Sequence, residues 1–523
     1  MANQACKRIV VLGGGLSGLS YVHYLRNFLA FYKKESLLSK VILVEANNYM
    51  GGSIKSCVHD DGIVHELGPR SVRINGIKGQ NTGVLLEQLG LQDRIVAVTA
   101  KSSAGKERYV YRQGKLHKVP TSLGALFRKI PASKSTLFNA LMVDFFKKEK
   151  MNLDEYPYRD PSLYDFISYR FGPEAAEGIA DPLLRGITAG NVRQLSTRAL
   201  FNDMLANEQA YGSIMKGVFK PPILKSAHDE LFPHDILDSK VLDKFQKDGV
   251  MSYNLNTGLQ TLPEHLCNSL LNTNDDNLLA IYNSTNVVSI NFNNKQANEA
   301  PCSVEVKTVD GDQLSIKADH IVSTIPANDF VKTLPDSMPA EQRSALENLQ
   351  KIPHSPVGCV VVEYRKLTQA LPKEINSFGF LTHSESDSKV LGISFDTTMF
   401  PEIDKPVGSF RMTAMMGGSW SEQVFGTKDI NKVTNEQMEQ IALSEIRKIL
   451  GIKDDPYRIT PYMWKTGIAQ YTPGHTERLQ ETRDAIEKVK MPLTILGQSY
   501  DGVAVNDVVY AARMAASNFV KQL

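Results

Sequence analysis

The strongest constraint on the fold is a glycine-rich turn that joins a buried strand to a helix at the start of the chain. Residues 8–12 are an apolar run suited to a strand buried on both faces. Three glycines at the spacing G-x-G-x-x-G follow in residues 13–18, and apolar residues then recur at helical spacing. A second apolar run, residues 40–44, ends at Glu45. This order predicts a right-handed β-α-β unit that binds a dinucleotide at the N-terminus of its helix.

Composition and charge exclude several classes of protein. The chain has 523 residues, of which 42% are hydrophobic and 22% charged, and this excludes a disordered or fibrous protein. The 59 basic and 57 acidic residues nearly cancel, which excludes the general basic excess of a nucleic-acid binder. Five scattered cysteines without a C-x-x-C pair favour reduced thiols over a disulfide framework or a zinc ribbon. No apolar run approaches the ~20 residues that a membrane-spanning helix needs.

The distribution of strand-type and helix-type apolar patterns along the chain predicts an α/β (α+β) fold in three interleaved parts. A Rossmann-type dinucleotide-binding domain begins the chain, a mixed-sheet substrate domain follows, and a helical insertion interrupts it. The predicted bounds are 1–100, 250–335 and 461–523 for the first domain, 101–120 and 336–460 for the substrate domain, and 121–225 for the insertion. Residues 227–248 are polar, and we predict an irregular connection there. The final β-α pair is predicted at 493–496 and 505–520.

One window of the insertion combines apolar and basic residues. Residues 123–150 carry six basic and two acidic side chains among many large apolar ones. A helix lying in a lipid headgroup region, with its lysines extended towards water, is one interpretation. A solvated helix pair that covers the substrate domain is the other, and the sequence leaves both open.

A second glycine pair indicates which dinucleotide is bound. The run from Val44 through Glu45 and Ala46 to Gly51 and Gly52 resembles the fingerprint of the flavin amine-oxidase superfamily. Ser53 stands where most relatives have arginine. The resemblance implies FAD rather than a nicotinamide cofactor.

The C-terminal segment points to the same cofactor. Residues 496–507 lead into a helix, for which we predict Asn506 or Asp507 as the N-cap. A helix start aimed at the flavin pyrimidine edge would stabilise the negative charge of the reduced ring. The segment has no cysteine, and we therefore expect FAD to be bound without a covalent bond.

Five segments spread from end to end resemble the oxygen-dependent protoporphyrinogen oxidase family. They are residues 11–19, 66–70, 185–191, 417–420 and 499–507. The resemblance implies six-electron oxidation of protoporphyrinogen IX in three hydride-transfer cycles, with O2 as acceptor and H2O2 as product. It also implies a homodimer and peripheral (monotopic) attachment to the mitochondrial inner membrane. Ferrochelatase is a candidate transfer partner that the sequence does not identify. No cleaved presequence is evident at the N-terminus.

The resemblance also implies site residues. The predicted FAD contacts lie at the two glycine turns, beside the ring and at the C-terminal helix: Gly13, Gly14, Gly15, Leu16, Ser17, Gly18, Glu45, Ala46, Ser53, Gly68, Pro69, Arg70, Ser71, Val287, Gln498, Val503, Ala504 and Val505. The predicted substrate contacts are a propionate-binding arginine and an apolar wall: Arg108, Phe378, Gly379, Leu381, Met415 and Met416. No metal ligand and no protein catalytic base are predicted, because flavin N5 carries the chemistry.

Two other functions compete with this interpretation. A flavin amine oxidase typically frames its amine with two aromatic rings at the flavin, and here Tyr500 supplies only one. A flavin-free binding protein on the same fold, like the prenyl-GTPase escort proteins, would lack the cofactor. Polyamine turnover and the presence of bound flavin distinguish the three.

Overall fold

The structure is a computed structural model, and it describes residues 7–120, 123–220, 238–272, 278–293, 300–404 and 408–523. Its strands, in chain order, are β1 Lys7–Leu12, β2 Leu38–Val44, β3 Ser56–Val58, β4 Val64–Glu66, β5 Val72–Arg73, β6 Ile95–Thr99, β7 Tyr109–Arg112, β8 Lys115–Lys118, β9 Val250–Leu255, β10 Leu279–Tyr282, β11 Thr285–Phe292, β12 Cys302–Thr308, β13 Gln313–Ala318, β14 His320–Ser323, β15 His354–Tyr364, β16 Gly379–Thr382, β17 Val390–Ser394, β18 Phe410–Gly417, β19 Arg458–Ala469 and β20 Leu493–Ile495.

Helices connect and cover these strands. In chain order they are α1 Leu16–Tyr32, α2 Gly76–Gln88, α3 Ser103–Lys106, α4 Leu137–Phe146, α5 Leu163–Phe171, α6 Pro173–Ala175, α7 Asp181–Thr188, α8 Thr197–Tyr211, α9 Ile214–Val218, α10 Lys240–Asp248, α11 Thr261–Leu271, α12 Ala327–Lys332, α13 Ala340–Leu346, α14 Asp396–Met399, α15 Pro401–Asp404, α16 Ser421–Phe425, α17 Asn435–Leu450, α18 His475–Lys488 and α19 Val505–Gln522. Within the described ranges, no helix combines the length and the apolar character that a bilayer crossing requires.

The first domain is a parallel sheet in the strand order β10-β2-β1-β14-β20. Alternate residues of β1 point to opposite faces, so Ile9 and Val11 pack against helices α1 and α19, whereas Val10 and Leu12 pack against the sheet β11-β12-β13. Both faces are therefore covered, as the continuous apolar runs predict. This arrangement confirms the predicted Rossmann-type fold, and it brings the carboxyl ends of β1, β2, β14 and β20 to one edge.

The substrate domain is a mixed sheet in the order β19-β15-β18-β17-β16-β7-β8. One face carries alternate apolar residues of β15 and β18 and packs against the amphipathic helix α17. The other face turns towards the dinucleotide-binding domain, where Trp464 of β19 donates a hydrogen bond to the carbonyl of Leu67. The site described below lies on this second face.

The insertion is helical from α4 to α9 and is held together by a buried ion cluster. The Arg170 guanidinium donates to Asp144 at 2.6 Å, and it also lies 3.4 Å from the carboxylate of Glu208. All three side chains are fully buried. Asp144 accepts further hydrogen bonds from Ser213 and Met215, which ties α4 to the start of α9.

The structure differs from the sequence-based expectations at three places. Residues 240–248 of the predicted irregular connection are a helix, because Ser239 caps it and Val241 and Phe245 bury one face; residues 221–237 lie outside the described ranges. Strand β19 continues past the predicted domain boundary at 460, because it pairs with β15 along its length. The N-cap of α19 is Ala504, and Asp507 instead accepts a hydrogen bond from the Ala504 amide at 3.2 Å.

Candidate functional site

The glycine turn lies at the carboxyl edge of the parallel sheet. Gly13 has a φ of +100°, and its amide donates to the carbonyl of Val44 at the end of the neighbouring strand. The Gly14 amide donates to a carboxylate oxygen of Glu45 at 2.7 Å. Helix α1 then begins at Leu16, with no acidic residue in its first turn and no side-chain cap. In the described part of the chain, no side chain accepts a hydrogen bond from its first amide groups, which point at the edge of the sheet.

A side chain would clash at two positions of this turn, with fixed backbone at Gly18 and with the movable Met50 side chain at Gly14. A Cβ at Gly14 would lie 2.4 Å from the sulfur of Met50, and one at Gly18 would lie 2.1 Å from the carbonyl oxygen of Gly13. Gly15 faces Gly52 across a narrow gap. A Cβ on Gly15 would occupy this gap, 3.6 Å from the Cα of Gly52. The turn presents main-chain groups without side chains next to a helix N-terminus that has no side-chain cap. This arrangement fits the pyrophosphate of FAD.

Glu45 connects the turn to the adenine side of the site. Its second carboxylate oxygen accepts from the main chain and side chain of Asn47 at 2.8 and 2.6 Å, and its carbonyl accepts from the Thr285 amide. Val287 follows two residues later in β11 and is half-buried against the core. Glu45 and Val287, both predicted as cofactor contacts, are thus held at the same end of β2.

The C-terminal loop reaches the same edge. The Leu496 amide donates to the Ser323 carbonyl at the end of β14, and a Cβ at Gly497 would lie 3.3 Å from the hydroxyl of Ser17. Both ends of the chain therefore meet at the glycine turn. Val503, Ala504 and Val505 start helix α19 from this loop, and Lys78 lies 2.7 Å from the carboxylate of Asp507 in its first turn.

Arg70 lies between the two domains, and no carboxylate among the described residues forms an ion pair with it. Its guanidinium donates towards the sulfur of Met415 at 2.6 Å and towards the thiol of Cys359 at 3.7 Å. Sulfur is a weak acceptor, so these contacts leave the charge poorly satisfied. An uncompensated guanidinium at this position fits an electron-rich group such as the flavin ring. Gly68 precedes it, and a Cβ there would lie 2.1 Å from the carbonyl of Ser53.

A row of residues crosses the substrate sheet in register. Leu381 pairs with Gly392, Gly392 with Met415, and Met415 with Cys359. Paired residues point to the same face, so Leu381 and Met415 flank a position that has no side chain. The Leu381 side chain lies over this position, because a Cβ at Gly392 would approach its Cδ2 to 2.9 Å; the glycine thus lets Leu381 lie low on the sheet as an apolar floor. The row begins at the apolar wall and ends beneath Arg70.

Arg108 lies at the far end of this row. It precedes β7, which pairs in parallel with β16, and its guanidinium lies 5.3 Å from the ring centroid of Phe378. Burial and the positive charge of Arg73 lower the pKa of Arg108. Among the described residues, no carboxylate forms an ion pair with Arg108 or Arg73. Two cations without an acidic partner are suited to bind an anionic ligand.

The remaining predicted residues divide by exposure and by face. Met416 is fully buried against α17 and faces away from Met415, because neighbouring residues of a strand point to opposite sides. Gly379 has a φ of +141°, and a Cβ there would lie 2.3 Å from the Ile393 carbonyl. Leu16 and Ser17 are buried, Ala46, Ser53 and Ala504 are exposed, and Pro69, Ser71 and Gln498 are half-buried.

Sequence reasoning missed three features of this site. A glycine inside strand β17 was the available signal for Gly392, since such glycines mark close approaches. The pair Tyr471 and His475, separated by Thr472, Pro473 and Gly474, contacts the C-terminal loop. Helix α7 packs against the substrate sheet, where a Cβ at Gly186 would lie 2.2 Å from the Cδ2 of Leu381. Only the packing of distant segments reveals the last two.

Comparison with known proteins agrees with this geometry. Residues 17–518 match the model of a family described as flavin-containing amine oxidoreductase. The protoporphyrinogen oxidases of Bos taurus and Homo sapiens are each 32% identical over 511 and 510 residues, covering 98% of this chain and 98% of theirs. A crystal structure of a protein from Exiguobacterium sp. 255-15 has a similar fold, with a TM-score of 0.73, 22% identity and 99% of each chain covered.

Proposed function

The chain belongs to the flavin-containing amine oxidoreductase family and is an FAD-dependent oxidoreductase, and on that premise we propose that it oxidises protoporphyrinogen IX to protoporphyrin IX with O2. The single observation that carries the proposal is the full-length similarity to two enzymes named for this activity. The row from Leu381 to Cys359, with an arginine at each end, supports it.

The substrate chemistry sets what this chain must supply. Protoporphyrinogen IX is a largely apolar macrocycle with two carboxylates at one edge. FAD, when bound at the glycine turn and the start of α19, would supply the redox chemistry, taking two electrons from the substrate in each of three cycles with O2 as the final acceptor and H2O2 as the product. The chain's residues must therefore bind a flat apolar body, hold its carboxylates, and set the face that meets the flavin.

Arg108 is suited to the carboxylate edge. Its guanidinium can form a bidentate pair with a propionate, and the ring of Phe378 supports it from one side. Binding of a carboxylate would also relieve the repulsion from Arg73. We propose that Arg108, by holding the carboxylate edge, orients the macrocycle so that the edge opposite the carboxylates lies over the sheet.

The apolar floor is suited to the macrocycle itself. Leu381 and Met415 offer aliphatic and thioether surface, and Gly392 between them keeps the floor low. A flexible thioether adapts to the ring pucker that changes as the macrocycle is oxidised. Arg70, against Met415, then lies beside the place where the macrocycle and the predicted flavin would meet. Two of the three protons lost can come from pyrrole N–H groups and the third from a meso carbon after tautomerisation; because each can pass to water, we propose that no side chain acts as a general base.

The decisive experiment follows porphyrin fluorescence after protoporphyrinogen IX is added under air. The purified holoprotein should generate fluorescence, flavin-stripped protein should not, and added FAD should restore the rate. Turnover of putrescine in place of the porphyrinogen would instead indicate an amine oxidase. Purified protein that is colourless and releases no FAD would contradict the proposal and favour a flavin-free binding protein.

We also propose that the insertion attaches the protein to a membrane surface. Large apolar side chains are exposed on α4, on α9 and beside them: Phe127, Val143, Phe146, Val218 and Phe219. Lys216 of α9 lies 5.4 Å from the ring centroid of Phe145, so the two helices are neighbours. Exposed cations, including Arg128, Lys129, Lys148 and Lys150, occur in the same segment. This combination is typical of helices that lie in a lipid interface. We refer to the five apolar residues as the apolar patch.

The remaining proposals rest on the family resemblance. We propose a homodimer at the mitochondrial inner membrane that transfers its apolar product to ferrochelatase. Light scattering of the purified protein would reveal a monomer if the dimer proposal is wrong. Fractionation of mitochondria would place the protein in the matrix if the membrane proposal is wrong. If a pull-down from solubilised inner membranes recovers no ferrochelatase, the proposal of this partner is wrong.

A further inference from the structure

Two buried rings stack beside the C-terminal loop. The rings of Tyr471 and His475 have centroids 4.0 Å apart and planes inclined by only 14°. Both residues are 3% exposed. Nothing in the proposed chemistry uses them directly, since neither lies in the row that crosses the substrate sheet.

The stacked pair holds the loop at alternate residues. The Tyr471 hydroxyl donates to the carbonyl of Gln498 at 2.6 Å and accepts from the amide of Gly502 at 2.8 Å. The His475 ring forms a hydrogen bond with the main chain of Tyr500. The loop between β20 and α19 is thus attached at positions 498, 500 and 502 to one rigid aromatic unit.

The pair is itself anchored to the helical insertion. The carbonyl of Tyr471 accepts from the Ser196 amide at 2.8 Å. The Gly474 amide, between the two rings in sequence, donates to Asp160 at 2.8 Å. Asp160 is buried and also accepts from the hydroxyl of Ser196 at 2.6 Å. The aromatic unit therefore has little freedom to move relative to the rest of the molecule.

What the pair fixes is the start of helix α19. Gly502 is followed at once by Val503, Ala504 and Val505, the segment predicted to meet the flavin, and the loop contacts Ser17 at its other end. A helix N-terminus stabilises negative charge only within about one turn, so small displacements change its effect on a nearby anion.

We propose that Tyr471 and His475 are positioning residues that hold loop 498–502, and with it the N-terminus of α19, against the reduced flavin. The inference rests on the proposed function for the location of the flavin at Val503–Val505. Loosening the loop should weaken FAD binding and make the flavin midpoint potential more negative, because the reduced, negatively charged ring loses more stabilisation than the oxidised ring.

The test uses Tyr471→Phe, which keeps the stacked ring and removes only the hydroxyl. We expect the Kd for FAD, measured by fluorescence titration of flavin-stripped protein, to rise about tenfold, since two hydrogen bonds are lost. The midpoint potential of the reconstituted holoprotein should fall. His475→Phe keeps the stack and loses only the Tyr500 bond, and we expect a smaller change in the same direction.

Tyr169→Phe is the matched control. The Tyr169 hydroxyl lies 3.0 Å from the carbonyl of Lys150 and 3.3 Å from that of Glu149, far from the loop in sequence. This variant should lose thermal stability but keep the parental Kd and midpoint potential. The inference is overturned if Tyr471→Phe has the parental Kd and potential, or if Tyr169→Phe changes both equally. If the parent fails to oxidise protoporphyrinogen while Tyr471→Phe still shifts both values, only the proposed substrate is wrong.

Discussion

The guanidinium of Arg70 lies 2.6 Å from the sulfur of Met415, and these two residues come from different domains. Arg70 follows the strand β4 beside the dinucleotide-binding sheet, whereas Met415 lies in the middle of the substrate sheet. The contact joins the predicted flavin side of the site to the predicted substrate side. It explains why a segment near residue 70 and one near residue 415 belong to a single site although no local pattern connects them.

Arg108→Ala should impair substrate binding much more than cofactor binding. Loss of a charge-assisted pair to one carboxylate corresponds to about 1.5–3 kcal/mol, so we expect KM to rise roughly 10- to 100-fold. FAD content, measured from the absorbance of the purified protein, should match the parent. Arg108→Lys should recover part of the loss because it keeps the charge but not the bidentate geometry. Parental KM in Arg108→Ala would exclude the role in carboxylate binding.

Gly392→Ala should raise the floor of the apolar slot. The added methyl group would lie 2.6 Å from the carbonyl of Phe380 and 2.9 Å from the Cδ2 of Leu381, so the Leu381 side chain must move off the strand. We expect KM for the porphyrinogen to rise and stability to fall by about 1–3 kcal/mol. Gly124→Ala is the control, because a Cβ there meets nothing within 4 Å. Equal kinetics in the Gly392→Ala variant and the parent would show that the slot lies elsewhere.

The apolar patch can be tested with charges placed in its middle. Phe146 and Phe219 are 71% and 78% exposed, so Phe146→Glu with Phe219→Glu should leave folding intact while removing about 1.5–3 kcal/mol of membrane affinity at each site. We expect at least tenfold weaker sedimentation with vesicles that contain anionic phospholipid. Phe31→Glu, at a residue 76% exposed at the end of α1, should bind vesicles like the parent. Unchanged sedimentation of the double variant would reject attachment through this patch.

The local parts of the fold could be predicted from the sequence, and the register between distant strands could not. The glycine turn and its strands are encoded within about forty residues, where apolar runs, glycine spacing and helical periodicity agree. The row from Leu381 to Cys359 depends on pairing among four strands, and no one-dimensional pattern contains that pairing. For the same reason, the strand pattern puts Met415 and Met416 on opposite faces of the sheet, but only the pairing and packing show that Met415 is the one that faces the site.

Two errors came from judging segments by composition. Residues 240–248 are polar overall, but Val241 and Phe245 are four residues apart and Ser239 precedes them, which is a sufficient signal for a short amphipathic helix. Asn506 and Asp507 are good N-cap residues by type, yet the helix begins earlier, because the main chain at Ala504 is already held by the Asp507 carboxylate. In the first case a residue-level signal was overlooked, and in the second a hydrogen bond at the helix start outweighed the N-cap preference of the residues.

Arg170→Ala should unfold the insertion selectively. The guanidinium is buried with Asp144 and Glu208, and its removal leaves two buried carboxylates without their cation. Breaking such a cluster from one side costs about 3–5 kcal/mol. We expect proteolysis to begin between α4 and α9 while flavin absorbance is retained. Arg193→Ala, at a half-exposed arginine 3.9 Å from Glu177, should be close to neutral. A cooperative loss of flavin together with the insertion would show that the two parts do not unfold separately.

Stability should fall as the pH is lowered from 6.5 towards 4, and His475 should account for part of this dependence. Burial and the charges of Arg478 and Arg483 lower the pKa of His475 to about 4, and the hydrogen bond to the Tyr500 main chain opposes them only partly. Between pH 4 and 6.5 the unfolded chain therefore binds more protons than the folded chain, so its contribution to stability is complete above 6.5 and is lost as the pH falls. One such group changes the free energy of unfolding by at most about 1.4 kcal/mol per pH unit. In His475→Phe, urea unfolding followed at pH 7, 6, 5 and 4 should give a slope that is shallower by up to this amount. An identical slope in variant and parent would mean that His475 titrates normally and that the stacked pair is not buried as described.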